Sequence, residues 1–149
     1  MWNLSEAEMD GAGAALAAVL GVGDVVTLDG PLGAGKTTLA RAVLHALGHV
    51  GEVPSPTFAL VQPYEALRPA VFHADLYRVE HPGELVELGL DEMIEDGALL
   101  VEWPVRAGAA AWPQALRLRL EPRADGRRAL TWEVSRAWEG RWPPPHLPR

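Results

Sequence analysis

A glycine-rich octapeptide occupies positions 30–37: Gly30-Pro31-Leu32-Gly33-Ala34-Gly35-Lys36-Thr37, which matches the phosphate-binding pattern GxxxxGK[ST] at every fixed position. The residues on either side predict the elements between which this pattern has physical meaning. A β-branched, apolar run over 24–29 precedes it, and a helical stretch over 38–47 follows it and is closed by Gly48. The sequence therefore predicts a buried strand, a phosphate loop and a helix in succession.

The phosphate loop predicts how a nucleotide is held. Its glycines leave the backbone free to curve, so that successive N–H groups and the positive end of the helix point at one anion. We expect the phosphates to bind Gly33, Ala34, Gly35, Lys36, Thr37 and Thr38. Lys36 should reach the outer phosphates, and the Thr37 hydroxyl should bind the Mg²⁺ that bridges them. The alternative is a plain glycine-rich turn, but the full match and its flanks favour nucleotide binding.

The composition limits the class of protein. The chain has 149 residues, of which 48% are hydrophobic, enough for one sizeable core. It contains no cysteine, which excludes disulfides, thiolate metal sites and thiol catalysis. The first residues lack the pattern of a signal peptide, and no apolar run is long enough to span a bilayer. We expect a single ATPase domain over 1–149 that is cytoplasmic and has no membrane partner.

The charge is unevenly distributed along the chain. The net charge is −7, yet residues 1–103 carry −12 and residues 104–149 carry +5, because nine arginines lie in the second segment. An arginine-rich segment could contact nucleic acid or an acidic partner, and the simpler alternative is a solvated strand face. We favour the solvated face. The overall acidity argues against broad, non-specific nucleic-acid binding.

Two segments next to the phosphate loop have informative spacing. Ser5 and Glu8 are placed as a capping box, which predicts an alanine-rich helix that ends near Leu20. The segment 49–58 contains two prolines and is predicted to be a loop. Within it we choose Thr57 over Ser55 as a switch hydroxyl that senses the γ-phosphate and its metal. A plain connecting loop is an equally good interpretation.

Two predicted strands lead into carboxylates. Strands are expected over 58–62 and 70–74, and the second runs into Asp75. Asp75 is a candidate for binding metal or positioning water, and an aspartate that caps its own backbone explains the position equally well. The apolar strand that starts at residue 98 ends at Glu102, as a Walker B element does, so its carboxylate should face Mg²⁺ or the attacking water. The alternative is a solvent-exposed glutamate at a strand edge.

The pattern of the last part of the chain indicates a structural role rather than a catalytic one. Strict alternation over 116–121 and 130–134, with a turn signal at 125–126, indicates an antiparallel hairpin with one apolar face. The proline-rich tail within 136–149 indicates a mobile segment or a docking strip. The expected fold is a P-loop NTPase-like, three-layer α/β sandwich with a mixed central sheet, to which the C-terminal antiparallel hairpin is appended.

Four motifs occur in one order within this short chain. They are residues 30–38, Ser55-Pro56-Thr57-Phe58, His73-Ala74-Asp75-Leu76-Tyr77-Arg78 and Val101-Glu102-Trp103. In this combination the chain resembles the TsaE (YjeE) family from the N-terminal helix through Trp103. The resemblance implies a compact ATPase, with ATP and Mg²⁺ as cofactors, that works in bacterial synthesis of threonylcarbamoyladenosine in tRNAs reading ANN codons. It implies the TsaD–TsaB complex as partner and a TsaC-type enzyme as the source of threonylcarbamoyl-AMP.

The same resemblance implies roles for individual residues. It makes Lys36 the phosphate-binding lysine, Thr37 and Glu102 the Mg²⁺ ligands, Thr57 the switch residue, Asp75 a second acid needed for hydrolysis, and Glu6 a residue bordering the nucleotide. The chain departs from many members at Pro31, where they carry an acid. Its C-terminal hairpin and tail match poorly.

Three functions fit these patterns. The leading hypothesis is an ATP-hydrolysing accessory protein that resets the TsaD–TsaB complex between turnovers. Weak ATPase activity is expected in isolation, because the sequence shows no clear arginine finger and Arg78 is the nearest candidate. A small-molecule P-loop kinase is the runner-up, although it should also have an acceptor pocket and an arginine-bearing lid. The third is a binding module in which nucleotide is only structural.

Overall fold

The structure is a computed structural model that describes residues 1–56 and 60–147. Its strands are β1 (Trp2–Leu4), β2 (Val25–Asp29), β3 (Val61–Tyr64), β4 (Val71–Asp75), β5 (Ala98–Glu102), β6 (Leu116–Pro122) and β7 (Arg128–Glu133). Its α-helices are α1 (Glu8–Ala17), α2 (Lys36–Ala46), α3 (Glu84–Leu88) and α4 (Leu90–Asp96), and single 3₁₀ turns occur at Pro104–Ala107 and Arg136–Trp138.

The described strands form one sheet in the order β1-β7-β6-β2-β5-β4-β3. β2, which leads into the phosphate loop, lies between β5 and β6 and is parallel to both. β4 is parallel to β5, whereas β3, β7 and β1 add antiparallel strands towards the two edges. The predicted mixed sheet is confirmed. The C-terminal antiparallel hairpin is confirmed as well, and its β6 joins the rest of the sheet by pairing parallel to β2.

Apolar side chains cover both faces of the sheet, since successive strand residues point to opposite sides. On one face, α1 and α2 pack against Val26 and Leu28 of β2. On the other, apolar residues of α3 and α4 belong to the cluster that contains Val25 and Leu99. The predicted three-layer arrangement is therefore confirmed. The two helices of the first face approach closely at Gly13, where an added Cβ would lie 2.4 Å from the Cβ of Ala42.

Several boundaries differ from the sequence prediction. The sequence pattern gives no signal for β1, because three residues are too few to show periodicity. β3 begins at Val61, later than the pattern over 58–62 predicts. Its Pro63 is tolerated because β3 is an edge strand, where a missing N–H donor leaves no gap in the sheet. α1 ends at Ala17 rather than near Leu20, and the capping-box bonds between Ser5 and Glu8 form at 3.0 and 3.2 Å.

The C-terminal segment packs against the body of the protein through residue 147. Trp138 is fully buried and Trp142 nearly so. Arg141 donates to both carboxylate oxygens of Asp24, at 2.8 and 2.9 Å. Proline content does not prevent aromatic packing there, and the alternatives of a mobile segment or a docking strip stay predictions. None of the helices over 1–56 and 60–147 has the length and apolar character needed to cross a membrane.

Candidate functional site

A pocket of about 380 Å³ opens at the end of the sheet where β2, β4 and β5 finish. The described residues that line it are Leu32, Gly33, Ala34, Gly35, Lys36, Thr37, Thr38, Ser55, Asp75, Tyr77, Glu102, Trp103 and Arg128. These three strands are parallel, so their carboxyl ends meet at one edge, which is the usual ligand position in such sheets. The topology thus places the phosphate loop beside both predicted carboxylates.

The phosphate loop turns into α2 at Gly35. Its φ of 100° is the left-handed conformation that glycine adopts without a Cβ penalty. The N–H groups in the first turn of a helix lack partners within that helix, so the start of α2 presents donors to the pocket. All six residues predicted to bind phosphates, 33–38, line the pocket.

Lys36 is turned back onto the loop that precedes it. Its Nζ donates to the carbonyl oxygens of Gly30 at 2.5 Å and Pro31 at 3.0 Å. It also lies 4.0 Å from the ring centroid of Trp103, a cation–π distance. Burial lowers the pKa of the Lys36 ammonium below its ordinary value. Lys36 is therefore a poorly hydrated cation whose hydrogen-bond partners in this structure are neutral carbonyl oxygens.

Glu102 lies at the end of β5 and is held on two sides. Thr37 Oγ1 donates to its carboxylate, with distances of 2.9 and 3.0 Å to the two oxygens. His73 Nε2 lies 2.6 Å from Oε2. Glu102 is only 2% exposed, so the alternative of a solvated edge glutamate is wrong. These contacts bring together the hydroxyl and the carboxylate that the sequence separates by 65 positions.

His73 is a residue of the site that the sequence analysis missed. It is fully buried on β4, and its Nδ1 has no hydrogen-bond partner among the described residues. A signal existed in the sequence: His73 is polar in an apolar strand and lies two residues before Asp75, hence on the same face. Its contact with Glu102 depends on β4–β5 pairing, which the sequence alone did not provide.

Asp75 ends β4 directly opposite Glu102 in the strand register. Its Oδ1 accepts the backbone N–H of Tyr77 at 3.0 Å, and Ser55 Oγ lies 3.5 Å from Oδ2. Burial raises the pKa of the Asp75 carboxyl above its ordinary value. Both interpretations of this residue are compatible with the structure, because Asp75 caps the local backbone and also lines the pocket.

The residues at this site fit a magnesium nucleotide. Mg²⁺ prefers oxygen ligands and commonly uses one or two protein ligands together with phosphate oxygens. Thr37 and Glu102 supply a hydroxyl and a carboxylate within one hydrogen bond of each other, at the start of a helix whose N–H groups face the pocket. Glycine at 35 allows the left-handed turn with which the loop enters this helix.

The structure leaves two predicted site residues untested. Glu6 is exposed in the turn before α1 and is not among the described residues lining the pocket, so its nucleotide contact stays a prediction. Thr57 lies outside the described residues, and its switch role also stays a prediction. Trp103 lines the pocket next to Lys36. The arginine among the described lining residues is Arg128, which the sequence analysis assigned only to the hairpin.

The sequence of this chain is similar to a protein family and to several of its members. The sequence model of the family described as "Threonylcarbamoyl adenosine biosynthesis protein TsaE" matches residues 4–130. The tRNA threonylcarbamoyladenosine biosynthesis protein TsaE of Mycobacterium bovis is 39% identical over 135 residues, covering 84% of this chain and 80% of the relative. The protein of the same name from Haemophilus influenzae is 44% identical over 92 residues, which cover 61% of this chain but only 58% of the relative.

A solved structure supports the same assignment. The crystal structure of Bacillus subtilus YdiB superposes with a TM-score of 0.70 at 31% sequence identity, covering 88% of this chain and 82% of that one. The family match spans both the phosphate loop and the two strand-end carboxylates, and the identity is spread over most of the chain. This chain therefore belongs to the TsaE family, which is named for threonylcarbamoyladenosine biosynthesis.

Proposed function

We propose that this protein binds and hydrolyses ATP in a Mg²⁺-dependent reaction and serves as an accessory protein in threonylcarbamoyladenosine modification of tRNA. The observation that carries the proposal is the meeting of Lys36, Thr37 and Glu102 in one pocket at the carboxyl end of the sheet. Family membership supports the pathway. The residue geometry supports the chemistry.

Each residue has a role that follows from its position. Lys36 binds the outer phosphates once it leaves the carbonyl groups of the loop. Thr37 and Glu102 hold Mg²⁺, which neutralises phosphate charge when bound. Asp75, opposite Glu102, orients the attacking water and accepts its proton. His73 fixes the carboxylate of Glu102 through Nε2.

The partner in this proposal is the TsaD–TsaB complex, with tRNA reading ANN codons as the indirect substrate. ATP binding and hydrolysis reset that complex between turnovers, and threonylcarbamoyl transfer itself occurs elsewhere. The segment around Thr57 carries the coupling, because a loop beside the γ-phosphate can change its order when that phosphate leaves. We expect slow hydrolysis in isolation and stimulation by TsaD–TsaB.

A radiolabelled-ATP experiment separates this function from the two alternatives. Phosphate release that TsaD–TsaB stimulates supports the proposal. Transfer of label to a small metabolite would identify a kinase, and ATP binding without either product would identify a binding module. The chain after residue 103 supplies the β6–β7 hairpin, and no arginine-bearing lid is seen over 104–147, which disfavours the kinase.

Lys36 allows a direct test of the binding site, because it is the single lysine in the sequence. An amine-acetylating reagent should modify the N-terminal amine readily and the buried Lys36 more slowly. The lowered pKa of Lys36 increases the neutral fraction of this amine that can react. Millimolar ATP should protect Lys36 but leave the N-terminus labelled, as peptide mass spectrometry would show. Equal labelling of Lys36 with and without ATP would contradict the proposed site.

A further inference from the structure

Arg128 is the first residue of β7, and its side chain belongs to the phosphate pocket. It shares a strand face with Leu130, whose side chain belongs to the apolar cluster beneath α1 and α2. The phosphate loop lies at the end of that same layer. The hairpin thus contributes a cation to a site whose other predicted residues come from elements earlier in the chain.

The Cδ and Nε atoms of the Arg128 side chain lie directly against the phosphate loop at Gly35. A Cβ built on Gly35 would stand 2.9 Å from both Cδ and Nε of Arg128 and 3.4 Å from Cε of Met9. Glycine at 35 therefore does more than permit the left-handed turn, because it leaves the space that the arginine occupies. Arg128 is placed next to the residue that precedes Lys36, on the side of the loop facing the hairpin.

The hydrogen bonding of Arg128 is incomplete. Its Nε is buried and has no partner among the described residues, and its side chain forms none of the ion pairs found over 1–56 and 60–147. Other arginines of the same segment are satisfied: Arg119 pairs with Asp29 and Glu121, Arg127 with Glu8, and Arg141 with Asp24. A buried donor left without an acceptor is destabilising, so this arrangement favours binding of an anion.

The acids of the pocket do not supply that anion. Glu102 is engaged by Thr37 and His73, and Asp75 accepts the N–H of Tyr77. An arginine fork matches the oxygens of a phosphate and can contact two of them at once. We propose that Arg128 binds phosphate oxygens of the nucleotide from the hairpin side of the loop, opposite the carboxylates. This inference rests on the proposed ATP function.

The test compares Arg128→Gln with Arg117→Gln, a matched control. Arg117 is in the same hairpin and carries the same charge, but it lines a groove with Thr131 and Glu133, apart from the phosphate pocket. Affinities for ATP and for inorganic tripolyphosphate are measured by calorimetry in EDTA, so that the readout is independent of hydrolysis. Arg128→Gln should weaken both ligands roughly tenfold, the size of one charge-assisted hydrogen bond, and Arg117→Gln should match the wild type.

The outcomes distinguish failure of the Arg128 assignment from failure of the proposed ATP function. If Arg128→Gln weakens ATP but binds tripolyphosphate normally, Arg128 contacts the nucleoside and the phosphate assignment is wrong. An equal loss in Arg117→Gln would also overturn it, because the effect would then be one of overall charge. If the wild type binds neither ligand in EDTA and binds no ATP when Mg²⁺ is supplied, the proposed ATP function fails and this inference fails with it. Arg128→Lys, which keeps the charge but not the fork, should recover part of the affinity and guards against a folding defect in the glutamine variant.

Discussion

The two walls of the pocket differ in how complete they are. We call Asp75 and Glu102, together with His73 that contacts Glu102, the acidic wall, and Arg128 the basic wall. The acidic wall comes from adjacent parallel strands, is buried, and forms hydrogen bonds within the protein. The basic wall comes from the edge of the hairpin, is partly exposed, and has a buried Nε without a partner among the described residues.

This difference indicates two ways of preparing a site. Buried carboxylates must be held by partners before any ligand arrives, since an unpaired buried charge is destabilising. A guanidinium at the pocket edge can remain partly solvated until phosphate binds. We therefore expect the acidic wall to be preorganised for chemistry and the basic wall to contribute mainly to affinity. The following variants test that division.

The largest expected effect is on hydrolysis in Glu102→Gln. Removing the charge should lower phosphate release at least ~100-fold, because both metal binding and the preorganised carboxylate are lost. ATP affinity in EDTA should stay within about twofold of the wild type, since phosphate contacts remain. Glu121→Gln, at an exposed hairpin position, is the control and should retain full activity. Unchanged hydrolysis in Glu102→Gln would remove this residue from its assigned role.

Replacing His73 with alanine should affect stability as well as activity. The carboxylate of Glu102 would lose a 2.6 Å contact inside the protein, which should lower the free energy of unfolding by about 1–3 kcal/mol. Urea titration measures this, and hydrolysis should fall roughly tenfold because the carboxylate is less firmly held. His146→Ala, at an exposed position, should change neither quantity. A fully stable and active His73→Ala protein would show that the acidic wall does not need this support.

Asp75→Asn should raise stability while it impairs hydrolysis. Burial raises the pKa of Asp75 in the folded protein, so the folded state holds the proton more tightly than the unfolded chain. Wild-type stability therefore falls as pH rises from the ordinary aspartate pKa through the raised value. The variant should melt a few degrees above the wild type at pH 7.5, and the difference should disappear near pH 3. Thermal melts at both pH values test this, and a variant that melts lower at pH 7.5 would contradict it.

The smallest effect is expected for Arg127→Ala, the neighbour of Arg128. Arg127 donates to Glu8 Oε1 at 3.0 Å and to the Asn3 carbonyl at 3.2 Å, both exposed contacts. Its loss should lower the melting temperature by roughly 1–2 °C, as for other surface pairs, and leave tripolyphosphate affinity unchanged.

The Arg127 effect should also depend on pH. The backbone N–H of Ser5 and the Ser5 hydroxyl lower the pKa of Glu8 in the folded state, ahead of the contribution from Arg127. That stabilisation is present above the ordinary glutamate pKa and is lost as pH falls through the lowered value. Glu8→Gln should therefore remove the effect of the arginine substitution at pH 7. If Arg127→Ala weakened tripolyphosphate binding, phosphate affinity would depend on both adjacent arginines, and the specific role assigned to Arg128 would be contradicted.

The part of the site that follows from local sequence could be predicted. The strand, phosphate loop and helix around Lys36 lie within some twenty residues, and their signals do not depend on distant pairing. Asp75 and Glu102 could be placed at strand ends for the same reason. Their position opposite each other could not, because it is set by the β4–β5 register.

The site residues whose positions depend on strand pairing, Arg128 and His73, could not be assigned from the sequence. Alternation at 116–121 and 130–134 predicts the β6–β7 hairpin correctly, but it gives no information on the strand that pairs with the other side of β6. Because β6 pairs with β2, Arg128 reaches the phosphate loop from more than ninety positions away in the chain. The same limit applies to His73, whose contact with Glu102 becomes visible only once β4 and β5 are adjacent.

The pairing of β6 with β2 has a consequence for protein synthesis. A nascent chain that has not yet reached Leu116 already carries the phosphate loop and both carboxylates, but one side of β2 has no neighbour. Its exposed backbone groups are then free to pair with other polypeptides, as at any open sheet edge. Prematurely released translation products should therefore aggregate rather than accumulate as partly functional nucleotide binders.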